Sequence, residues 1–122
     1  MKRDLDLLRD IMLRVEEIGT RSHYTNIQDF LDLNSDEETI SYHLFLLVDD
    51  GLVECAGSAD YDGIVDYDIT VLTMRGCEYL ESIRDAGIWH DTKEKLKNFG
   101  GVATAEIIKS IAVSIMKSKL GI

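Results

Sequence analysis

The hydrophobic pattern of this chain changes its period at Gly51, and that change limits the folds open to it. Before Gly51, apolar residues recur every three or four positions, as on the buried face of a helix. After Gly51, apolar and polar residues alternate through residues 65–71, as in a strand with one buried face. The chain therefore begins with helices and continues into β structure.

Three helices are expected before Gly51. The first covers residues 4–18 and ends at Gly19. A second, short helix starts at Thr25-Asn26-Ile27-Gln28, which has the capping-box form. The third covers residues 36–50, because Ser35-Asp36-Glu37-Glu38 has the same form and Gly51 suits a left-handed cap.

A two-stranded hairpin is expected next. Residues 52–55 form a short strand and residues 65–71 a longer one, with a turn-rich segment between them. Asp62-Gly63 in that segment favours the positive backbone dihedrals of a tight hairpin turn. Three helices followed by a hairpin give the order of a winged helix-turn-helix domain, in which the hairpin is the wing.

The remaining residues are expected to be helical. Thr73 caps a helix through Ile83, in which Gly76 permits a close helix contact. Ala86-Gly87 forms a joint before a basic helix over residues 88–98. Gly100-Gly101 breaks that helix, and a last one covers residues 102–120. The expected fold class is thus mainly α with a small β-hairpin wing: a winged helix-turn-helix domain over residues 1–85 and a basic helical extension over residues 86–122.

The charge is divided unevenly between these two parts. Residues 1–85 hold 7 Lys and Arg against 20 Asp and Glu, and residues 86–122 hold 6 against 3. The acidic part repels phosphate chains at a distance, and the basic extension is suited to an acidic surface such as that of a sister subunit.

The sequence shows no targeting or redox signal. Its two cysteines, Cys55 and Cys77, form no CxxC motif, which favours a reducing cytoplasm over a zinc site or a disulfide framework. Apolar runs stay well short of the ~20 residues that a spanning helix needs. We therefore expect a cytoplasmic protein without a secretory or transmembrane segment.

Four stretches of the sequence carry a resemblance: MKRDLDLLRDIMLRVEE, ISYHLFLLVDDGLVE, ITVLTMRGCEYLESIRD and IWHDTKEKL. Together they resemble a domain-of-unknown-function family of short bacterial and prophage proteins. That family looks related to the winged-helix YjcQ family, whose members also run from a strand into an LTxxGxxYL helix and then a Trp-containing segment. The most specific pieces are YHLxLLxDxGL at residues 42–52 and LTxxGxxYL at residues 72–80. The resemblance implies a fold and no activity.

The third helix occupies the position of a recognition helix, but its composition is wrong for DNA. A major-groove reader needs Arg, Lys, Asn or Gln, whereas residues 36–50 hold five carboxylates and no Lys or Arg. The expected outward positions, Glu37, Glu38, Ser41, Tyr42 and Phe45, are instead predicted to bind a protein partner, since aromatic anchors are enriched at such interfaces. The alternative is that Tyr42 and Phe45 only close the edge of the core.

DNA binding through another surface is the alternative function. A transcriptional regulator could contact nucleic acid through Lys93, Lys95 and Lys97. A second candidate set consists of the cations near the amino terminus: Lys2, Arg3, Arg9, Arg14 and Arg21. Either use requires that the cations cluster in space.

The last helix is predicted to pair two chains into a homodimer. Its expected contact residues are Ile108, Ile111, Ala112 and Ile115, which share one face. An amphipathic membrane anchor is the less favoured alternative, because Glu106 and several small residues interrupt it.

Nothing in the sequence suggests catalysis or a cofactor. His23, His43 and His90 lack metal or nucleophile spacing, and the Asp60-Tyr61-Asp62-Gly63 run lacks the distal Glu of a calcium loop. We therefore expect no enzyme activity, no cofactor, no metal and no small-molecule substrate. The sequence predicts a non-catalytic interaction or regulatory module in a bacterial or prophage setting.

Overall fold

The computed structural model describes residues 1–98 and 103–122, and in these residues the chain is mainly helical with one antiparallel hairpin. The elements are α1 (Leu5–Ile18), a short 3-10 helix (Ile27–Phe30), α2 (Glu37–Asp49), β1 (Val53–Tyr61), β2 (Ile64–Leu72), α3 (Met74–Ile83), α4 (Ala86–Lys97) and α5 (Ala105–Leu120). They fall into two compact units, Met1–Cys77 and Glu78–Ile122. The division lies inside α3.

The first predicted helix is confirmed as α1. Asp4 caps it, since its carboxylate accepts a hydrogen bond from the Leu7 N–H at 3.1 Å. The backbone N–H of Gly19 donates to the Val15 carbonyl at 2.8 Å and closes the last turn. The buried face consists of Leu7, Leu8, Ile11, Met12 and Val15.

The second predicted helix is a single turn of 3-10 helix, and the prediction of its cap was wrong by one position. Asn26 is the N-cap, and its N–H donates to the Asp29 carboxylate at 2.8 Å. Thr25 is buried and belongs to the sheet, because its N–H donates to the Ile69 carbonyl at 2.7 Å and its carbonyl accepts from the Ile69 N–H at 2.9 Å. A residue bound to β2 on its backbone cannot also start the helix.

The third predicted helix is confirmed as α2. Asp36 is its N-cap and accepts from the Thr39 N–H at 3.2 Å. Ile40, Leu44 and Leu47 lie on its buried side. Gly51 follows its end with a φ of +68°, a left-handed conformation that a residue with a Cβ adopts only at a cost.

The hairpin is longer than the sequence suggested. Its turn is the predicted Asp62-Gly63 pair, with φ values of 55° and 87°. The segment before the turn, expected to be irregular, is part of β1, which pairs with β2 from Val53 to Tyr61 with two register shifts between Val53 and Gly57. Cross-strand hydrogen bonds hold this stretch in a strand although its small residues alone favour none.

In the second unit, α4 and α5 form a helical hairpin. Asp85 caps α4 by accepting from the Ile88 N–H at 2.9 Å, so the predicted joint at Ala86-Gly87 was wrong: both residues lie in the first turn of α4. The Lys119 ammonium lies 3.5 Å from the Asp91 carboxylate, which places the end of α5 beside the start of α4. The predicted break at Gly100-Gly101 lies outside the described residues.

No helix within the described ranges is long and apolar enough to span a bilayer.

Gly76 marks a tight contact in the first unit. Thr73 caps α3 there, since its hydroxyl accepts from the Gly76 N–H at 3.1 Å. The predicted close approach at Gly76 is present, but its partner is the backbone of Leu52 at the start of the hairpin, whose carbonyl oxygen an added Cβ would strike.

We therefore expect Gly76→Ala to destabilise the protein by about 1–3 kcal/mol, because the methyl group overlaps backbone that cannot rotate away. In an ordinary helix the same change would stabilise by roughly 1 kcal/mol. Urea unfolding measures the difference. Gly57→Ala is the matched control, since a Cβ there meets only the Asp68 carboxylate at 3.5 Å. A Gly76→Ala chain as stable as the parent would contradict this packing.

Candidate interaction surfaces

Two carboxylates of the hairpin hold the start of the 3-10 helix in place. Asp66 accepts the N–H of Ile27 at 3.0 Å, and Asp68 accepts the side-chain amide of Asn26 at 2.6 Å. The same Asn26 amide also donates to the Tyr67 carbonyl at 3.2 Å. Both carboxylates are half-buried, so neither belongs to a solvated acidic wing. Sequence reasoning missed this role, since the contacts join residues about forty positions apart and leave no local signal.

A third hairpin carboxylate serves the turn. The Asp60 side chain accepts from the Gly63 N–H at 2.8 Å, in the manner of an Asx turn. Of the four wing aspartates only Asp62 occupies the turn itself, and it does so with a positive φ. The acidic run that could have suggested a calcium loop is thus explained by hairpin structure. Among residues 1–98 and 103–122, no cluster of three or more His, Cys, Asp or Glu side chains could hold a metal ion.

The predicted contact residues of α2 divide into two sets. Glu37, Glu38 and Phe45 are exposed, and Phe45 leaves 43% of its surface in solvent. Ser41 was wrongly expected to face outward: it is half-buried, and its hydroxyl donates to the Val65 carbonyl of β2. That bond ties the middle of α2 to the hairpin.

Tyr42 joins Phe45 on a line along the outside of α2. Its ring is half-buried and packs edge-on against His43, with ring centroids 5.5 Å apart. Glu38 lies one turn before Tyr42, and Asp49, which is also exposed, lies one turn after Phe45. We call Glu38, Tyr42, Phe45 and Asp49 the α2 stripe. Asp49 was not among the predicted contact residues, although its i+4 spacing from Phe45 was visible in the sequence.

His43 lies on the buried side of α2 and contacts the stripe through Tyr42. Its Nε2 atom accepts the backbone N–H of Asp4 at 2.8 Å, so the ring proton resides on Nδ1, which donates to the Thr39 carbonyl at 2.7 Å. The ring is fully buried. Both nitrogens are therefore used by the backbone, and His43 fixes the start of α1 against α2.

A cleft lies beside the first turn of α2. It has a volume of about 360 Å³ and is lined by Ile27, Gln28, Glu37, Tyr61, Ile64 and Asp66. Tyr61 at the hairpin tip is 65% exposed and was missed in the sequence, where it stood within a polar turn. Glu37 therefore belongs to this cleft, and Glu38 belongs to the α2 stripe.

Lysine and arginine are absent from the whole segment that builds these surfaces. Residues 22–74 contain twelve Asp and Glu and no Lys or Arg. The nearest arginines on either side are paired: Arg21 lies 3.1 Å from Glu54, and Arg75 lies 3.0 Å from Asp50. The surface is consequently negative. The arginines that precede and follow this segment in the sequence form ion pairs with its carboxylates.

The guanidinium of Arg14 is also held by hydrogen bonds. Its guanidinium donates two hydrogen bonds to the Asp32 carboxylate, at 3.1 and 2.8 Å, and a third to the Asp29 carbonyl at 2.6 Å. The hydrogen bond from Arg14 lowers the pKa of the Asp32 carboxyl below its usual range. Three of the five amino-terminal cations considered for DNA contact, Arg9, Arg14 and Arg21, thus have carboxylate partners.

The Arg14–Asp32 pair predicts a pH-dependent effect of Asp32→Asn. Because folding lowers the pKa of Asp32, the ionised carboxylate stabilises the protein above its ordinary pKa, and this contribution is lost as the pH falls through the lower folded value. The variant should therefore be less stable than the parent at pH 7, and the two should converge as the pH falls below the ordinary pKa of Asp, about 3.9.

Urea unfolding of both chains across that pH range measures this convergence. Asp49→Asn is the matched control, because Asp49 is an exposed aspartate on α2 and should leave the free energy of unfolding nearly unchanged at every pH. An Asp32→Asn deficit that stays constant from pH 7 to about pH 3 would count against the ion pair as its source.

The three lysines of α4 do not form one patch. Lys93 lies over the Trp89 ring, 5.5 Å from its centroid. Lys97 pairs with Glu94 at 3.0 Å, and that hydrogen bond lowers the pKa of the Glu94 carboxyl. Lys95 is exposed but lies about 200° around the helix from Lys93, on a different side.

The predicted dimer contacts of α5 are already covered. Ile108, Ala112 and Ile115 are 1%, 0% and 7% exposed in the single chain, and Ile111 is half-buried. α4 packs against α5 in the same unit. In the single chain this face contributes to the core of the second unit, and the pairing of two chains through it stays a prediction.

Comparison with known proteins places this chain in a family. No solved structure matches the chain. A protein from Haemophilus influenzae, named only as an uncharacterized protein, is 31% identical over 122 residues, which covers 98% of this chain and 99% of that protein. The model of the family described as "Hypothetical protein (DUF2513)" matches residues 2–103, and the chain belongs to that family.

Proposed function

We propose that the first unit is a winged helix-turn-helix module that binds a protein partner through the α2 stripe. The order of α1, the 3-10 helix, α2 and the β1–β2 hairpin supports the winged-helix assignment. The Thr25–Ile69 bridge supports it further, because it joins the segment before the 3-10 helix to the hairpin. In this layout α2 is the recognition helix by position.

One observation carries the choice of partner: α2 contains no Arg, Lys, Asn or Gln. Those residues supply the donors that read base edges and phosphates in a major groove. The stripe offers instead the carboxylates Glu38 and Asp49, which cost affinity beside a phosphate backbone. A helix with this surface is unsuited to DNA and suited to a protein with a basic or neutral face.

The two aromatic residues at the centre of the stripe provide apolar surface for such a partner to bury. Phe45 projects 43% of its surface into solvent, and Tyr42 lies one turn before it. Aromatic side chains supply much of the energy at protein interfaces, and a rim of polar groups excludes water around them. Within this proposal the module is non-catalytic and acts in the cytoplasm of a bacterium or on behalf of a prophage.

The proposal predicts that Phe45→Ala abolishes capture of the partner. The tagged full chain is used as bait in a lysate of the organism that encodes it, with and without nuclease. We expect a captured protein that survives nuclease treatment and is lost with Phe45→Ala, because removing a central aromatic typically costs about 2 kcal/mol or more, roughly a thirtyfold loss of affinity.

Tyr24→Ala is the matched control, since Tyr24 is a comparably exposed aromatic, 45% in solvent, that lies outside α2. It should leave capture unchanged. Capture that persists with Phe45→Ala, or that disappears with nuclease, would contradict the proposed surface.

The same preparation tests the alternative of a DNA-binding regulator. Because Lys95 lies on a different side of α4 from Lys93 and Lys97, and Lys97 is paired, we expect no shift of duplex DNA even at low salt. A shift that weakens steeply with salt and vanishes when all three lysines are changed to Glu would favour the regulator and remove the protein-binding proposal's main argument.

A further inference from the structure

We propose that two copies of this chain associate through the outer face of α5, antiparallel, so that Glu106 of each copy meets Lys117 of the other. The outer face consists of Glu106, Ser110, Val113 and Lys117. This inference concerns the second unit and does not rest on the proposed function of α2.

The outer face lies opposite the buried one. Its residues recur at intervals of four, three and four, as one side of a helix requires, and they fall roughly 200° around α5 from Ile108 and Ala112. Glu106, Ser110 and Lys117 are exposed and Val113 is half-buried. A shallow depression on this side is lined by residues of α5 and by Ile122 alone, and all four residues of the outer face are among them. The face that was expected to pair is covered, and this face is open.

The face is complementary to itself. A two-fold axis between Ile111 and Ala112 places Glu106 opposite Lys117 and Ser110 opposite Val113, and each contact then occurs twice. The acidic residue lies in the first turn of α5 and the basic one in the last, so charges attract only when the helices run antiparallel. The same arrangement sets the positive end of each helix dipole beside the negative end of the other.

The side chains between the charges favour a close approach. Ser110 and Ser114 are small and exposed, and small contact residues bring helix axes toward the near end of the usual range of about 8–10 Å. α5 is about 24 Å long, so one face of it buries less than the roughly 1,200 Å² of a standard interface. The dimer is therefore weak and dissociates on dilution.

Exchanging the charges tests both the face and its direction. Sedimentation of the full chain from about 10 μM to about 1 mM should show a monomer–dimer equilibrium for the parent. Glu106→Lys and Lys117→Glu should each weaken association by about tenfold or more, because each turns two attractions into two repulsions. An equimolar mixture of the two variants should regain the parental affinity. In the mixed dimer, each position 106 again faces a position 117 of opposite charge on the other chain.

Lys2→Glu is the matched control, because it makes the same charge change at an exposed lysine outside α4 and α5 and should leave the equilibrium unaltered. Circular dichroism of each variant shows whether α5 still folds, since both changes oppose its own dipole. A parent that stays monomeric throughout, single variants that associate like the parent, or a folded mixture that stays monomeric would each overturn the proposal.

Discussion

The first unit depends on a block of hydrogen bonds between residues 25–27 and residues 66–69. Thr25 pairs with Ile69 along the backbone, Asn26 donates to Asp68, and the Ile27 N–H donates to Asp66. The segment before the 3-10 helix has almost no regular structure of its own, and the hairpin alone would be marginal in water. Each supplies the donors or acceptors that the other lacks, and the orientation of the 3-10 helix relative to β2 follows from their pairing.

Several of the chain's carboxylates, including two in this block of hydrogen bonds, have structural roles. Asp60, Asp66 and Asp68 satisfy backbone or amide donors, and Asp36 and Asp4 cap helices, so these carboxylates contribute to folding. Those of the α2 stripe, by contrast, make an exposed rim around two aromatic rings. The 23 Asp and Glu of the chain therefore include carboxylates that contribute to folding as well as the two exposed ones of the α2 stripe.

Local signals in the sequence were sufficient where a single residue decides the backbone. Gly51 and the Asp62-Gly63 turn were predicted correctly, because left-handed caps and tight turns follow from backbone freedom. Gly19 ends α1 as predicted, through the short-range hydrogen bond from its N–H to the Val15 carbonyl. The N-cap of the 3-10 helix and the extent of β1 were not predicted correctly. Thr25 and residues 56–61 owe their conformation to pairing partners far along the chain, which leave no local signal.

The candidate surfaces were predictable to the same limited extent. Glu38 and Phe45 could be assigned to the outside of α2 from helical spacing alone, whereas Ser41 could not, because its outcome depends on where β2 passes. The apolar face of α5 illustrates the same limit: helical periodicity identifies a face that will be buried, but not whether a helix of the same chain or of a second one buries it.

Amide hydrogen exchange tests the central claim that the hairpin clamps residues 25–27 at the start of the 3-10 helix. The Thr25 and Ile27 amides should be protected nearly as well as that of Leu44 in the core of α2, and protection of Ile27 should fall sharply in Asp66→Ala, which removes its acceptor. Thr25 and Ile27 amides that exchange as fast as that of exposed Gln28 would contradict the clamp, and with it the orientation of the 3-10 helix.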